Sequence, residues 1–367
     1  MRTPDRFLSS GWGPVITGAV VGVLAPLLVK WGNPGNMGMC IVCFTRDIAG
    51  ALGLHRASAV QYLRPEIMGF LWGSLSASLV FKEFRPRQGS SPLLRFLLGM
   101  LASFGGLVFL GCPWRAYLRL SGGDGNALWG VLGLLTGVGM GIIFLRRGYS
   151  LGRNHGAPGS VGWLMPIFML ILLCLLISSP LLGRDVQGNR VGPIFFSEKG
   201  PGSQHAPLLL SLGAGWLIGF LAQRSRFCTV GALRDMMLLR DAHLLRGILS
   251  LIGFALVTNM ALGQFHPGFR GQPVAHPDAM WNFGGMVLAG LAFTLAGGCP
   301  GRQIVLAGEG DADAALFLLG MIVGAGVAHT YGIASSPSGV GPYGPVMVLL
   351  GTAICLLLGL FLSGEKE

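Results

Sequence analysis

The sequence predicts an all-α polytopic membrane protein of about ten spans (nine to ten), with short re-entrant helices and two inverted five-span repeats. Three observations carry this. Of 367 residues, 52% are hydrophobic and only 11% charged, and the mean hydropathy is +0.64; a soluble domain carries about 25% charged residues. Apolar runs such as "VGWLMPIFMLILLCLLISSPLLG" (161–183) and "GPVMVLLGTAICLLLGLFLSG" (344–364) contain no ionisable group. About 20 such residues cross a hydrocarbon core of roughly 30 Å as a helix. Finally, two motifs occur twice, with an odd number of spans between the copies.

The spans fall at 14–30, 65–82, 93–111, 127–145, 161–182, 206–222, 245–263, 283–298, 314–334 and 344–363. The first follows Arg2 and Arg6, has no small-residue cleavage site after it and ends at Lys30-Trp31-Gly32, so it reads as a span and not a signal peptide. The polar, glycine-bearing stretch 183–205 ("GRDVQGNRVGPIFFSEKGPGSQH") reads as a linker. It separates a first repeat, 1–182, from a second, 206–367.

The repeats align in two places. "GCPWRAYLRLSGGDGNA" (111–127) falls on "GCPGRQIVLAGEGDADA" (298–314) without a gap. Cys112 matches Cys299, Pro113 matches Pro300, Arg115 matches Arg302 and Asp124 matches Asp311, with Gly133 and Gly137 falling on Gly320 and Gly324. "GMCIVCFTRD" (38–47) likewise falls on "RFCTVGALRD" (226–235), which sets Cys40 on Cys228 and Arg46-Asp47 on Arg234-Asp235. Five spans between equivalent motifs invert the second half relative to the first. Cys40 and Cys112 then approach from one face, and Cys228 and Cys299 from the other.

A net charge of +11 raises the question of nucleic acid. The basic residues form short clusters between spans, with no basic domain, and so read as cytoplasmic loops. The bias toward the loops after even-numbered spans places both termini in the cytoplasm. Seven cysteines show no disulfide framework and no zinc spacing, so free thiols, no metal and no cofactor are expected. There is no ATP-binding motif, and the chain is not read as an enzyme.

A residue before proline is pushed out of the helical region, so the chain should break at Cys112-Pro113 and Cys299-Pro300. Irregular backbone at membrane depth must be buried in protein or line a wet cavity. Cys40, Cys112, Cys228 and Cys299 are therefore candidates for a solute path. Cys174 and Cys355 read as small hydrophobes, and Cys43, matched by Gly231, stays open between the two. Arg115 and Arg302 have no acid beside them in sequence and are candidates for drawing in an anion. Arg46-Asp47 and Arg234-Asp235 read as structural ion pairs, Asp124 and Asp311 as helix N-caps, and the paired glycines as close-packing seams. Polarizable thiols in series, which are weak donors, suit a soft sulfur or selenium anion.

"RFCTVGALRD" and "GGCPGR" resemble signature segments of the YeeE/YedE membrane family, whose better understood members import thiosulfate. "WGNPGNMGMCIVCFTRDIAGALGLHRA", "RPEIMGF", "FKEFRPR" and "FLGCPWRAYLRLSGGDGNA" resemble its selenium-metabolism (YedE/FdhT-type) branch. The resemblance implies an hourglass-shaped helical protein whose central cysteines pass an anion along by hydrogen bonds. The matching positions are Cys112, Cys228 and Cys299, with Cys40 the fourth by repeat symmetry. It also implies a soluble SirA/TusA-like sulfur-carrier partner and a role in selenium metabolism. The leading expectation is an importer of a small selenium or sulfur compound in the bacterial cytoplasmic membrane. The alternatives are a thiosulfate importer, a thiol oxidoreductase using Cys40 and Cys43, and a membrane anchor for a soluble carrier.

Overall fold

The computed structural model describes residues 11–179 and 192–364. Within them the chain is almost entirely helical. Ten long helices are α1 (Gly13–Lys30), α3 (Pro65–Val80), α4 (Pro92–Phe109), α6 (Asn126–Arg146), α7 (Gly159–Ser178), α8 (Leu208–Ser225), α10 (His243–Ala261), α11 (Ala279–Leu295), α13 (Ala312–Thr330) and α14 (Gly344–Phe361). Four short ones interrupt them at matching places: α2 (Ile41–Ala51), α5 (Pro113–Ser121), α9 (Thr229–Leu239) and α12 (Pro300–Gly308). Among the described residues, nine helical segments are long and apolar enough to cross a membrane. The 16-residue α3 is shorter and fills the remaining expected span. The protein is thus an all-α, multi-pass membrane protein, and its helix ends lie within a few residues of those read from sequence.

Loops separate by parity. Those after α3, α6, α8 and α12 touch one another: Arg85 N–H donates to Glu309 O at 2.8 Å, Ala157 N–H to Pro86 O at 3.0 Å, and Arg226 pairs with Glu83 at 2.8 Å. Strands β1 (Arg87–Gln88) and β2 (His155–Gly156) pair antiparallel on this face. The remaining loops touch at the other face, through Gly125 N–H to Gly268 O at 2.9 Å, Phe195 N–H to Ala51 O at 2.8 Å and Ser335 N–H to Leu107 O at 3.1 Å. Successive long helices therefore run in opposite directions.

The principal helix pairs are α1 with α10, α3 with α8, α4 with α13 and α6 with α11. Counting on by seven helices turns the first pair into the second and the third into the fourth. The contacts α1 with α8 and α4 with α11 map onto themselves. The last helix of each half departs from this pattern, since α7 leans on α3 while α14 leans on α11 and α4.

Glycine makes these pairs close. A Cβ added at Gly133 or Gly137 of α6 would strike the Phe283 and Val287 carbonyls of α11, and at Gly320 of α13 the Phe96 carbonyl of α4. Gly18 and Gly22 serve α1 against α10, and Gly215 and Gly219 serve α8 against α3 in the same way. Lipid provides no hydrophobic drive between helices, so van der Waals contact at such seams holds them. The part of the 183–205 linker that is described, 192–205, is packed against the first half. Ser197 N–H donates to Gln61 O at 2.9 Å, and the carbonyls of Pro201 and Gln204 accept from Arg64 at 2.8 and 3.0 Å. Residues 183–191 of that call lie outside the described residues.

Candidate functional site

The four motif cysteines occupy one structural position. Cys40, Cys112, Cys228 and Cys299 are the N-cap residues of α2, α5, α9 and α12, each in extended backbone conformation. The turns that deliver the chain there are tight. Leu110 and its repeat equivalent Gly297 both have φ > 0, at 62° and 88°, as does Arg226 two residues before Cys228. An N-cap side chain accepts from the first free amides of its helix. Cys40 Sγ accepts from Cys43 N–H at 3.4 Å, Cys228 Sγ from Gly231 N–H at 3.2 Å and Cys299 Sγ from Arg302 N–H at 3.4 Å. Sulfur thus stands at the positive end of each helix dipole, where an anion is favoured.

The thiols form two groups. Cys40 neighbours Cys112, and it neighbours Cys43, whose N–H donates to its sulfur. Cys228 lies within reach of Cys299, whose N–H donates to Cys228 Sγ at 3.4 Å. All are free and buried. Cys355 is buried too, while Cys174 is exposed on α7. A recess of ≈ 160 Å³ lined by Val29, Asn36, Gln264, His266 and Gln272 opens on the face of the Cys40 loop. On the opposite face a recess of ≈ 420 Å³ is lined by Glu83, Arg224, Arg226, Asp235, Asp241 and His243.

The arginines differ from one another. Arg115 is fully buried, and its guanidinium donates to the carbonyls of Asn36 (3.0 Å), Leu110, Pro273 (3.3 Å) and Val274 (3.1 Å) and to Cys43 Sγ (3.7 Å). It ties the approach to Cys40, the turn before Cys112 and the 262–278 loop together, and no carboxylate is among these partners. Arg302, without an acid beside it in sequence, has Glu309 at 3.6 Å. It stands at the edge of a mouth network in which Glu309 and Glu83 also meet Arg226, and Asp311 meets Arg87 at 2.6 Å. Burial pushes the Glu83 carboxyl up, but hydrogen bonding from Gln223 and the charges of Arg226 and Arg224 bring it below its ordinary value.

Both Arg-Asp pairs form, in unequal settings. Arg46 donates twice to Asp47 Oδ1, at 2.9 and 2.7 Å, while Arg64 reaches Oδ2 at 2.7 Å, with all three side chains at most 2% exposed. Arg234–Asp235 closes at 2.8 Å with side chains 34% and 20% exposed. Asp311 caps α13 by accepting from Ala314 N–H at 3.0 Å. Its counterpart Asp124 accepts from Asn126 N–H at 2.9 Å and pairs with buried Arg119 at 2.6 Å. Arg64 and Arg119 escaped the sequence reading, although an arginine in so apolar a setting is itself a signal of a buried partner.

The family model for Sulphur transport matches residues 224–362. A similar protein is the "Probable transporter YedE" of Escherichia coli (strain K12), 26% identical over 328 residues, 80% of this chain and 75% of that protein. Shorter matches are to the "Thiosulfate transporter TsuA" of Spirochaeta thermophila, 33% over 101 residues, and of Escherichia coli, 34% over 108 residues. These cover 28% and 29% of those proteins' own length. The matched family and these relatives are described as transporters. Within that class the resemblance to the YeeE/YedE sulfur-transport family is borne out.

Proposed function

We propose that this chain is an importer of a small sulfur- or selenium-containing anion, handed between two pairs of buried thiols along a central path, and that it serves selenium metabolism. One observation carries the reading: four free, buried cysteines stand at the N-termini of four short helices that interrupt the spans, and three of them accept from the first free amides of their helix. Breaks of this kind bind anions in membrane transporters. Cys40, Cys112, Cys228 and Cys299 touch the cargo, Arg115 and Arg302 supply positive potential, and the two Arg-Asp pairs hold the short helices. The halves, 1–182 and 206–367, are an inverted repeat; the helix pairing, unchanged on counting by seven, supports this.

The membrane is the bacterial cytoplasmic membrane with both termini inside, a reading supported by the basic loops after even-numbered spans. The face carrying Arg224 and Arg226 is then cytoplasmic, where a SirA/TusA-like carrier would collect the cargo. The rival cargo is thiosulfate, the substrate named for the TsuA relatives. The rival class is a thiol oxidoreductase, favoured by one observation, the adjacency of Cys40 and Cys43. Uptake of labelled selenite, selenide and thiosulfate into proteoliposomes tests all three, with Cys228→Ala and Cys299→Ala alongside. Selenium uptake lost in both variants supports the proposal, and preferential thiosulfate uptake moves the cargo. No uptake of any of them, with Cys40 and Cys43 cycling between dithiol and disulfide, refutes transport.

A further inference from the structure

The segment "RPEIMGF" (64–70) puts a glutamate in the first turn of α3, away from the thiols. Glu66 is 0% exposed, and its Oε1 accepts from Asn33 Nδ2 at 2.8 Å and from Ser211 Oγ at 3.1 Å. Its Oε2 has no hydrogen-bond partner, and no ion pair among the described residues includes this carboxyl. Arg64, two residues earlier, is engaged by Asp47 and by the carbonyls of Pro201 and Gln204. Tyr62 lies within electrostatic reach of Glu66, and the His205 ring stacks on it at 4.4 Å. Exposed Lys30 ends α1, three residues before Asn33. Of the helices packed on α3, α2 offers the Arg46–Asp47 pair and α7 no charged residue. α8 carries only Arg224, near its far end, and the Arg302 of α12 has Glu309 beside it.

Tying Asn33 to Ser211 needs no charge. A glutamine would accept the same two hydrogen bonds, so neither the negative charge nor Oε2 serves the packing. The repeat does not call for the acid either. Gly215 and Gly219 of α8 meet the carbonyls of Glu66 and Phe70, as Gly18 and Gly22 of α1 meet those of Gly247 and Leu251. In this register Glu66 falls on Gly247, which has no side chain. An acid at membrane depth without a cation partner marks an ion or proton path. A metal cation needs several acceptor oxygens. Here Asn33 and Ser211 turn N–H and O–H toward Glu66, and Asn33 Oδ1 is taken by Ala206 N–H at 2.8 Å. A proton needs only the carboxylate.

We propose that Glu66 is a proton-binding site that couples anion import to proton entry. A proton from the outer face joins the carboxylate as the anion enters, and its release to the cytoplasm regenerates the carboxylate. An anion moving inward runs against an inside-negative potential, and one co-transported proton cancels one negative charge per cycle. Asn33 connects this site to the thiols. Its amide donates to Glu66 Oε1 and, at 3.3 Å, to the carbonyl of Gly38, two residues before Cys40. Hydrogen bonds to an ionised acceptor are the stronger ones, so neutralising Glu66 loosens the amide that also holds the approach to Cys40. The proposal rests on the transport reading above and supplies its driving force.

The test uses the full chain in proteoliposomes at clamped membrane potential, with labelled thiosulfate and selenite as probes and a trapped pH dye. Glu66→Gln is compared with Glu198→Gln, an exposed acid of the 192–205 loop. In wild type an inward gradient of one pH unit should sustain about tenfold accumulation, the ratio for one proton per anion, and the added anion should acidify the lumen. Glu66→Gln should lose both and still exchange internal for external anion, while Glu198→Gln behaves as wild type. The coupling is overturned if wild type accumulates anion without acidifying the lumen, if a sodium gradient at equal pH drives uptake instead, or if Glu66→Gln accumulates as wild type does; in each case the passage itself stands. A Glu66→Gln chain that is not recovered folded overturns it too, since the charge then serves packing. If wild type neither accumulates nor exchanges either anion, the transport reading fails, and infrared difference spectra decide the proton site. A protonated-carboxyl band that appears on acidifying wild type and is missing in Glu66→Gln supports the site, and identical bands overturn it.

Discussion

Asp47→Asn and Asp235→Asn make the same change in two copies of one motif, and the structure assigns them different costs. Asp47 holds two guanidinium groups, three hydrogen bonds of 2.7–2.9 Å, in surroundings where none of the three side chains exceeds 2% exposure. An asparagine keeps the shape and removes the charge, leaving Arg46 and Arg64 as uncompensated buried cations. Breaking a buried pair in this way costs about 3–5 kcal/mol. Asp235 holds one guanidinium at 2.8 Å, with side chains 34% and 20% exposed, and a solvent-screened pair is worth about 0.2–1 kcal/mol. At roughly 2 °C per kcal/mol for a large chain, Asp47→Asn lowers the melting temperature by about 6–10 °C and Asp235→Asn by about 2 °C or less. Intrinsic fluorescence during thermal unfolding of the purified protein in detergent reads both. Arg64 also clamps the carbonyls of Pro201 and Gln204, so the Asp47 variant should cleave faster within 192–205 under limited proteolysis. Equal shifts for the two variants, or an Asp47 variant as stable as wild type, would refute the reasoning from burial.

Three further outcomes follow from the same geometry. The folded-state Glu83 carboxyl titrates below its ordinary value, so its contribution is complete above that value and is lost as the pH falls through the lowered one. Stability measured from pH 6 to 3 should drop less steeply in Glu83→Gln than in wild type, by a small margin because the group is about a third exposed. Gly301→Trp places a second large ring against Trp114 and should abolish recovery of folded protein, whereas Trp114→Gly combined with Gly301→Trp should restore it in part, as judged by size-exclusion profile. Amide exchange should be faster in α9, whose Arg-Asp pair is only partly buried, than in α2, every residue of which is buried; the reverse order would contradict the burial difference.

What could be read in advance followed the logic of each signal. Apolar length placed the long helices, because a membrane span is set by bilayer thickness, and the Cys-Pro steps placed the starts of α5 and α12, because proline restricts the residue before it. The Gly133/Gly137 and Gly320/Gly324 seams were legible as spaced glycines. Other seams, such as Gly18 with Gly22, lay in helices whose glycines the repeat alignment does not reach. The thiol caps were missed because cysteine is not an expected N-cap and repetition says only that a residue matters. Long-range partners were also out of reach. Nothing in the local sequence tells that Arg64 closes on Asp47 from 17 residues away, or that Glu309 approaches Arg302 from the far end of α12.

The proposed duplication accounts for the four matching helix starts, and the two halves depart from it in how firmly those starts are held. An exact two-fold would present identical chemistry to both mouths, with identical helices equally held. Here α2 is fixed by a buried carboxylate with two arginines, and Arg115 braces the approach to it through four carbonyls. At α9 the counterpart is weaker: Asp235 holds one guanidinium, is only partly buried and lines the ≈ 420 Å³ recess. Rigidity is thus concentrated at the first thiol pair. On the transport reading proposed above, a solute would meet a firmly held thiol pair in one half and a more loosely held pair in the other.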